Sequence, residues 1–281
     1  MRVVKNFLEL KQVIENIKQD KKTLGFVPTM GALHAGHLSL VDASKKKCQQ
    51  TAVSIFVNPM QFGPNEDLNK YPRPLEKDLA MCEQAGVDFV FVPSVEMIYP
   101  KGFSFKIVES FFSSHLCGAY RKGYFDGICT VVMKLLHLVP CDQLFMGLKD
   151  VEQVKVIDEM IKAFHLSVEM VACPTVREDN GLAMSSRNQY LSEEEKDVAK
   201  HLYQALCLIK EKSQLGEYDT QTLIDAAKDY LKQYSKIEVQ YLKILHWEDF
   251  LPTKKIQRKY VVALAAFVGT TRLIDNLIVD L

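Results

Sequence analysis

Through the first two thirds of the chain, short apolar runs alternate with amphipathic stretches, and this constrains the fold more than any other feature. Residues 24–27, 51–57, 88–92, 143–146 and 166–172 read as strands. Between them, apolar residues recur at helical spacing after His37 (Leu38, Leu40, Val41) and over 75–85, 128–138 and 151–164. The 51–57 run lacks polar alternation, as expected of a strand buried on both faces. A capping box, Asn6-x-x-Glu9, opens an earlier helix with Phe7, Leu10, Ile14 and Ile17 on one face. Loops rich in Pro, Asn and Gly fill 58–74, and one with more glycine fills 102–127. Strands separated by helices at this spacing predict an α/β fold with a Rossmann-like, doubly wound, mostly parallel sheet.

Beyond about Thr175 the pattern changes. Ser192-x-x-Glu195 caps a helix that would bury Val198, Leu202, Ala205, Leu206 and Ile209. A second helix follows over 220–234, and strand-like runs occupy 237–245, 260–268 and 272–280. Helices followed by strands predict a smaller α+β C-terminal domain, dividing the chain into 1–175 and 176–281.

Composition narrows the functional classes. Lys and Arg together number 35, as do Asp and Glu, so nothing in the charge balance invites nucleic acid or a membrane surface. The longest clean apolar run, 260–268, falls far short of the roughly 20 residues a spanning helix needs. No signal-peptide core follows Met1. The seven cysteines form no Cys-x-x-Cys pair and read as reduced, buried thiols in a cytoplasmic protein.

Open α/β sheets bind ligands beyond the carboxyl ends of their strands, and the unusual polar groups of this chain fall there repeatedly. His34 and His37 follow the first of these runs, where a helix begins and where its dipole and unpaired backbone N–H groups favour phosphate oxygens. Asn58 and Gln61 follow the 51–57 strand; Gly147, Leu148, Lys149 and Asp150 follow the 143–146 strand, with Gln153 a helical turn on. Val176 and Arg177 follow the 166–172 strand, and Met184, Ser185, Ser186 and Arg187 come shortly after. Such a set suits a triphosphate beside a small acid: lysine as a point charge, hydroxyls and guanidinium on developing negative charge, neutral amides on a carboxylate. Arg121 and Lys122 are further candidate cations. Each feature also has a plainer reading. The histidines suit a helix cap or a His-x-x-His metal pair, the glutamines and Lys149 an ordinary surface, and Ser185–Ser186–Arg187 a turn cap.

His-x-Gly-His followed by a Met-Ser-Ser-Arg loop resembles the class I nucleotidyltransferase superfamily. Within it, residues 28–37 (PTMGALHAGH), 54–62 (SIFVNPMQF), 71–73 (YPR), 181–188 (GLAMSSRN) and 272–276 (RLIDN) resemble the pantothenate synthetase (pantoate–β-alanine ligase, AMP-forming) family over nearly the whole chain. The resemblance implies ligation of pantoate and β-alanine with ATP through a pantoyl adenylate, releasing AMP and pyrophosphate. It implies that Met30, Gly31, Ala32, Leu33, His34, Ala35, Gly36, His37, Gly147, Leu148, Lys149, Asp150, Val176, Met184, Ser185, Ser186 and Arg187 bind ATP. Gln61 and Gln153 would hold pantoate, and Gln61 would also place β-alanine. His37, His34, Lys149, Asn58 and Arg187 form the implied catalytic set, with His37 as proton donor. Mg²⁺ would accompany the triphosphate on phosphate and water ligands. A homodimer with a C-terminal lid is implied as well.

Two positions depart from the family pattern. Leu148 stands where a glutamate is usual, and Cys117 replaces another, so two carboxylates are lost, expected at the rim of the site. Altered kinetics with retained activity are the expectation. The competing readings are a nucleotidyltransferase acting on a phosphorylated substrate, which the two glutamines disfavour, and a non-catalytic nucleotide-binding homologue, motivated by Leu148 and Cys117.

Overall fold

Two elements open the chain, a short strand β1 (Arg2–Val4) and a helix α1 (Phe7–Gln19), before the expected alternation begins. It runs through β2 (Leu24–Thr29), α2 (Ala35–Lys47), β3 (Gln50–Ile55), α3 (Leu75–Gln84) and β4 (Phe89–Phe91). Two short helices, α4 (Val95–Ile98) and α5 (Cys117–Tyr120), precede α6 (Tyr124–Leu138), β5 (Gln143–Gly147), α7 (Val151–Ala163) and β6 (Glu169–Cys173). The computed structural model describes residues 1–64 and 66–281; Asn65, in the loop expected over 58–74, lies outside the described residues.

The strand order is β1-β4-β3-β2-β5-β6, and every neighbouring pair is parallel. From β2 the chain winds outward through β3 and β4, then crosses to the other side of β2 to lay down β5 and β6. The reversal at β2 and β5 is the switch point of a doubly wound sheet, whose carboxyl edge is where such folds take ligands. One face of the sheet buries Val27, Val53, Val90 and Phe145 against Leu40 and Val41 of α2 and Cys82 of α3. β2, β3 and β4 are nearly continuously buried, as the unbroken apolar runs predict for a sheet covered on both faces. Burying a Leu, Val or Phe side chain here is worth about 1.5–3 kcal/mol.

The differences from expectation are local. β1 is too short to show a period, and pairs with β4 at the sheet edge. α1 buries Leu10, Ile14 and Ile17, whereas Phe7 is exposed, because it lies at the first turn outside the packed stripe. α2 begins at Ala35, ahead of His37, and α6 at Tyr124, ahead of 128.

The described residues pack into two units. The larger takes Met1–Ser113, Tyr120–Leu148 and Glu152–Pro174; the smaller takes Ser114–Ala119, Lys149–Val151 and Thr175–Leu281. The smaller unit contains α8 (Glu193–Gln214), α9 (Thr220–Leu231) and an antiparallel sheet ordered β7 (Ile237–His246), β8 (Lys259–Val268), β9 (Thr271–Asp280). Ser192 and Glu195 form the expected reciprocal box: Ser192 Oγ accepts from the Glu195 N–H at 3.2 Å, and the Glu195 carboxylate accepts from the Ser192 N–H at 2.8 Å. Leu202, Leu206 and Ile209 of α8 and Leu223 of α9 pack with Leu242, Tyr260 and Leu264 of the sheet. No helix among the described residues is long and apolar enough to cross a membrane.

Candidate functional site

The turn after β2 is held from both sides. Thr29 Oγ1 donates to the Ser54 carbonyl on β3 (2.8 Å) and accepts from the Gly31 N–H (3.1 Å). Gly31 (φ +81°) and Ala32 (φ +51°) both adopt left-handed backbone, which for the alanine costs roughly 1–2 kcal/mol. Asp78, in the first turn of α3 and 1% exposed, compensates. Its Oδ2 accepts the Ala32 N–H and its Oδ1 the Leu33 N–H, each at 2.8 Å. A Cβ on Gly31 would stand 2.9 Å from Asp78 Oδ2, so the fit leaves no room for a side chain. Sequence reasoning did not single out Asp78.

The chain then enters α2 through a cap made by the two histidines. His34 is the N-cap residue; its Nδ1 accepts from the Gly36 N–H at 3.1 Å, and His37 Nδ1 accepts from the His34 N–H at 3.3 Å. The rings lie 4.1 Å apart between centroids, tilted by 46°. With both Nδ1 atoms accepting, each neutral ring carries its hydrogen on Nε2. The expected supply of unpaired backbone donors is corrected here. Among residues 31–38 only the Ala35 N–H lacks a partner among the described residues, since Thr29, Asp78 and the histidine cap take the others. Backbone N–H groups of this turn thus serve the protein itself, leaving the Ala35 N–H, the side chains and the helix dipole as what it offers a ligand.

Beside it, Asn58 organises a second cluster. This residue is 1% exposed, and its Nδ2 donates to Gln61 Oε1 (3.0 Å) and to the Gly127 carbonyl (3.1 Å). Its Oδ1 accepts from the Tyr99 hydroxyl (2.7 Å) and the Met60 N–H (3.3 Å). Burial pushes the Tyr99 hydroxyl well above its usual pKa, which keeps it a donor. Gln61 Nε2 points to the Met30 thioether at 3.1 Å, joining this cluster to the β2 turn. Arg121 donates to the Gln61 carbonyl at 3.2 Å, forks onto the Glu66 carboxylate and lies 3.5 Å from the centre of the Tyr124 ring. Its charge is thus paired with Glu66 while one Nη2 hydrogen bond holds the Gln61 backbone. A mostly apolar cavity of about 300 Å³ adjoins the turn on Met30, Gly31, Phe56, Arg73 and Asp78; His34, His37 and Gln61 do not line it.

Gln153 occupies the first turn of α7, half-buried, and hydrogen-bonds to neither Asn58 nor Gln61. Gly147 ends β5, and Leu148 leads into a tight turn over Leu148–Asp150. The remaining candidates belong to the smaller unit. Lys149 Nζ stands 3.8 Å from the Asp150 carboxylate. Val176 accepts the Met184 N–H at 3.0 Å, and Ser185 caps the turn over Ser186–Tyr190 by accepting the Arg187 N–H at 3.3 Å. Buried Asn188 ties this turn to the Ala183 carbonyl and the Glu178 carboxylate. The expectation that Cys117 marks a rim is also corrected. It is 5% exposed, 3.2 Å from the Tyr241 hydroxyl and 3.6 Å from Arg272 Nη2, so the departure from the family pattern lies inside the smaller unit. Among the described residues no three His, Cys, Asp or Glu side chains group as a metal site.

Known proteins resemble this chain over nearly its full length. Residues 2–278 match the family described as Pantoate-beta-alanine ligase. A pantothenate synthetase of Caldicellulosiruptor saccharolyticus is 46% identical over 280 residues, covering 100% of both chains. The crystal structure of pantothenate synthetase from Thermus thermophilus superposes with a TM-score of 0.94 at 40% identity, covering 99% of each chain. A pantoate-beta-alanine ligase from Francisella tularensis, complexed with β-γ ATP and β-alanine, superposes with a TM-score of 0.82 at 33% identity, over 99% of this chain and 97% of that one.

Proposed function

The chain belongs to the pantoate-beta-alanine ligase family, and we propose that its chemistry passes through an enzyme-bound pantoyl adenylate. As a member it is a carbon–nitrogen ligase that forms pantothenate from pantoate and β-alanine at the expense of ATP. The pantoate carboxylate attacks the α-phosphorus and expels pyrophosphate; the β-alanine amine then attacks the acyl carbon and expels AMP. Substrate supplies both nucleophiles, so the protein's work is orientation and charge stabilisation, which together account for many powers of ten in rate.

The observation that carries this reading is the reciprocal histidine cap at the end of β2, with the Asn58–Gln61 pair joined to the same turn through Met30. Because each Nδ1 accepts from the backbone, Nε2–H is the donor of each neutral ring; His34 and His37 serve phosphate oxygens through it, and His37 donates a hydrogen bond to the oxygen on which charge builds as pyrophosphate leaves. The stretch from Met30 to His37 lines ATP. Gln61 has its oxygen engaged by Asn58, and among the described residues its nitrogen meets the Met30 thioether, a weak acceptor, so it keeps donor capacity for the pantoate carboxylate. Gln153 is the second pantoate ligand, and Gln61 also places β-alanine. Asn58, whose polar atoms all serve the protein, positions Gln61. Gly147, Leu148, Lys149, Asp150, Val176, Met184, Ser185, Ser186 and Arg187 complete ATP binding, with Lys149 and Arg187 offsetting charge that builds on pyrophosphate. Mg²⁺ would neutralise the triphosphate on phosphate and water ligands. Residues 1–175 as the ATP and pantoate domain, 176–281 as a lid, a homodimer and a cytoplasmic setting belong to the same proposal.

The test is to incubate the purified protein with ATP, Mg²⁺, pantoate and β-alanine and to follow pyrophosphate and pantothenate. Pyrophosphate release should require pantoate, and H37A should slow it by roughly 10²–10³-fold. No pantothenate from saturating substrates, or pyrophosphate release indifferent to pantoate, would contradict the reading.

A further inference from the structure

Two adjacent polar residues on β9 sit deep in the smaller unit. Asp275 and Asn276 are each 5% exposed. Asp275 receives a two-pronged grip from Arg177, Nη1 to Oδ2 at 2.7 Å and Nη2 to Oδ1 at 2.9 Å, and accepts the Asn276 N–H at 2.7 Å. Burial pushes its carboxyl up even against the pull of that guanidinium. Arg177 also donates to the Gly181 carbonyl (3.0 Å) and the Asn276 carbonyl (3.2 Å), and stacks 3.7 Å from the centre of the Tyr203 ring.

Stability gives little reason for such an arrangement, since a buried ion pair rarely outperforms apolar residues of the same volume. Geometry gives a better one. Arg177 pairs with Ala183 in an antiparallel bridge that closes the hairpin from which Met184, Ser185, Ser186 and Arg187 emerge. Asn276 reaches the other way, donating from Nδ2 to the main-chain carbonyl of Lys149 at 2.8 Å. Neighbouring residues of one strand therefore hold two segments that are distant in sequence.

We propose that Arg177, Asp275 and Asn276 are positioning residues for adenylate formation, fixing the Lys149 main chain and the root of the 184–187 turn to β9 and hence to each other. The inference rests on the reading in which Lys149 and that turn contact ATP. None of the three touches a reacting atom; their effect is exerted through Lys149 and the turn. A displacement of about 1 Å in such groups can cost on the order of 100-fold in rate.

The experiment compares the parent, N276A, K149A and the double variant N276A/K149A by pantoate-dependent pyrophosphate release, with thermal unfolding alongside. N276A should lower kcat by on the order of 10-fold or more, with the KM for β-alanine unchanged and little change in Tm, and should add almost nothing in the K149A background. R177K, which keeps the charge opposite Asp275 but loses the fork, should reproduce the kcat loss, and it serves as the probe if N276A does not fold. Parental kcat in both N276A and R177K, or an N276A loss of equal size in the K149A background, would overturn the proposal. A K149A variant with parental kcat would instead sink the underlying assignment of Lys149.

Discussion

A carboxylate with 1% exposure governs the entrance to α2. Asp78 neutralises the strain of two successive left-handed residues by accepting the N–H groups of Ala32 and Leu33. Replacing it with asparagine keeps the shape but turns an NH₂ toward one of those donors. D78N should therefore lose about 1–3 kcal/mol, as expected for a buried donor left unpaired, seen as a Tm several degrees lower, and should raise the KM for ATP because the histidine cap follows directly. A parental Tm and ATP KM would show that the turn stands without the carboxylate. The histidines themselves were legible in sequence, since their spacing and place after a strand are local facts. Their role as a reciprocal cap was legible only as one alternative, because imidazole rarely fills a position that Ser, Thr, Asp or Asn usually takes. Asp78 was hidden: its backbone partners lie 45 and 46 residues away, and in sequence it is one more acid in a helix's first turn.

Strands and helices followed the apolar periods closely wherever an element was long enough to have one. β1, a strand of three residues, escaped that reading and still supplies the sheet edge beside β4. α6 starts earlier than its apolar run because Gly123 (φ +77°) turns the chain into it, and its first turn carries the contacts that matter for the site. Gly127 there approaches the Pro59–Gln61 turn so closely that an added Cβ would lie 2.4 Å from the Met60 carbonyl oxygen and 2.8 Å from the Gln61 nitrogen. G127A must push α6 and that turn apart, at about 1–3 kcal/mol for overpacking. Since the turn carries Gln61, the KM for pantoate should rise several-fold while the KM for ATP changes little. Unchanged pantoate kinetics in a folded G127A protein would detach Gln61 from pantoate binding.

At the scale of the whole molecule, the change of character near Thr175 is visible in sequence, where strand–helix alternation gives way to two helices and three strands. What no period could reveal is that Ser114–Ala119 and Lys149–Val151 join the smaller unit. Their membership is set by interactions between residues far apart in the chain, such as Cys117 with Tyr241 and the Lys149 carbonyl with Asn276. Function was more legible than this assembly because its motifs are short, contiguous and ordered along the chain. The proposed chemistry depends on one event, attack of the pantoate carboxylate on the α-phosphorus of ATP. The direct measurement is a turnover with pantoate labelled with ¹⁸O in its carboxylate, followed by mass analysis of the products. One labelled oxygen should appear in AMP, carried there when the β-alanine amine breaks the acyl–oxygen bond. Unlabelled AMP, or label in inorganic phosphate with ADP as the nucleotide product, would contradict it.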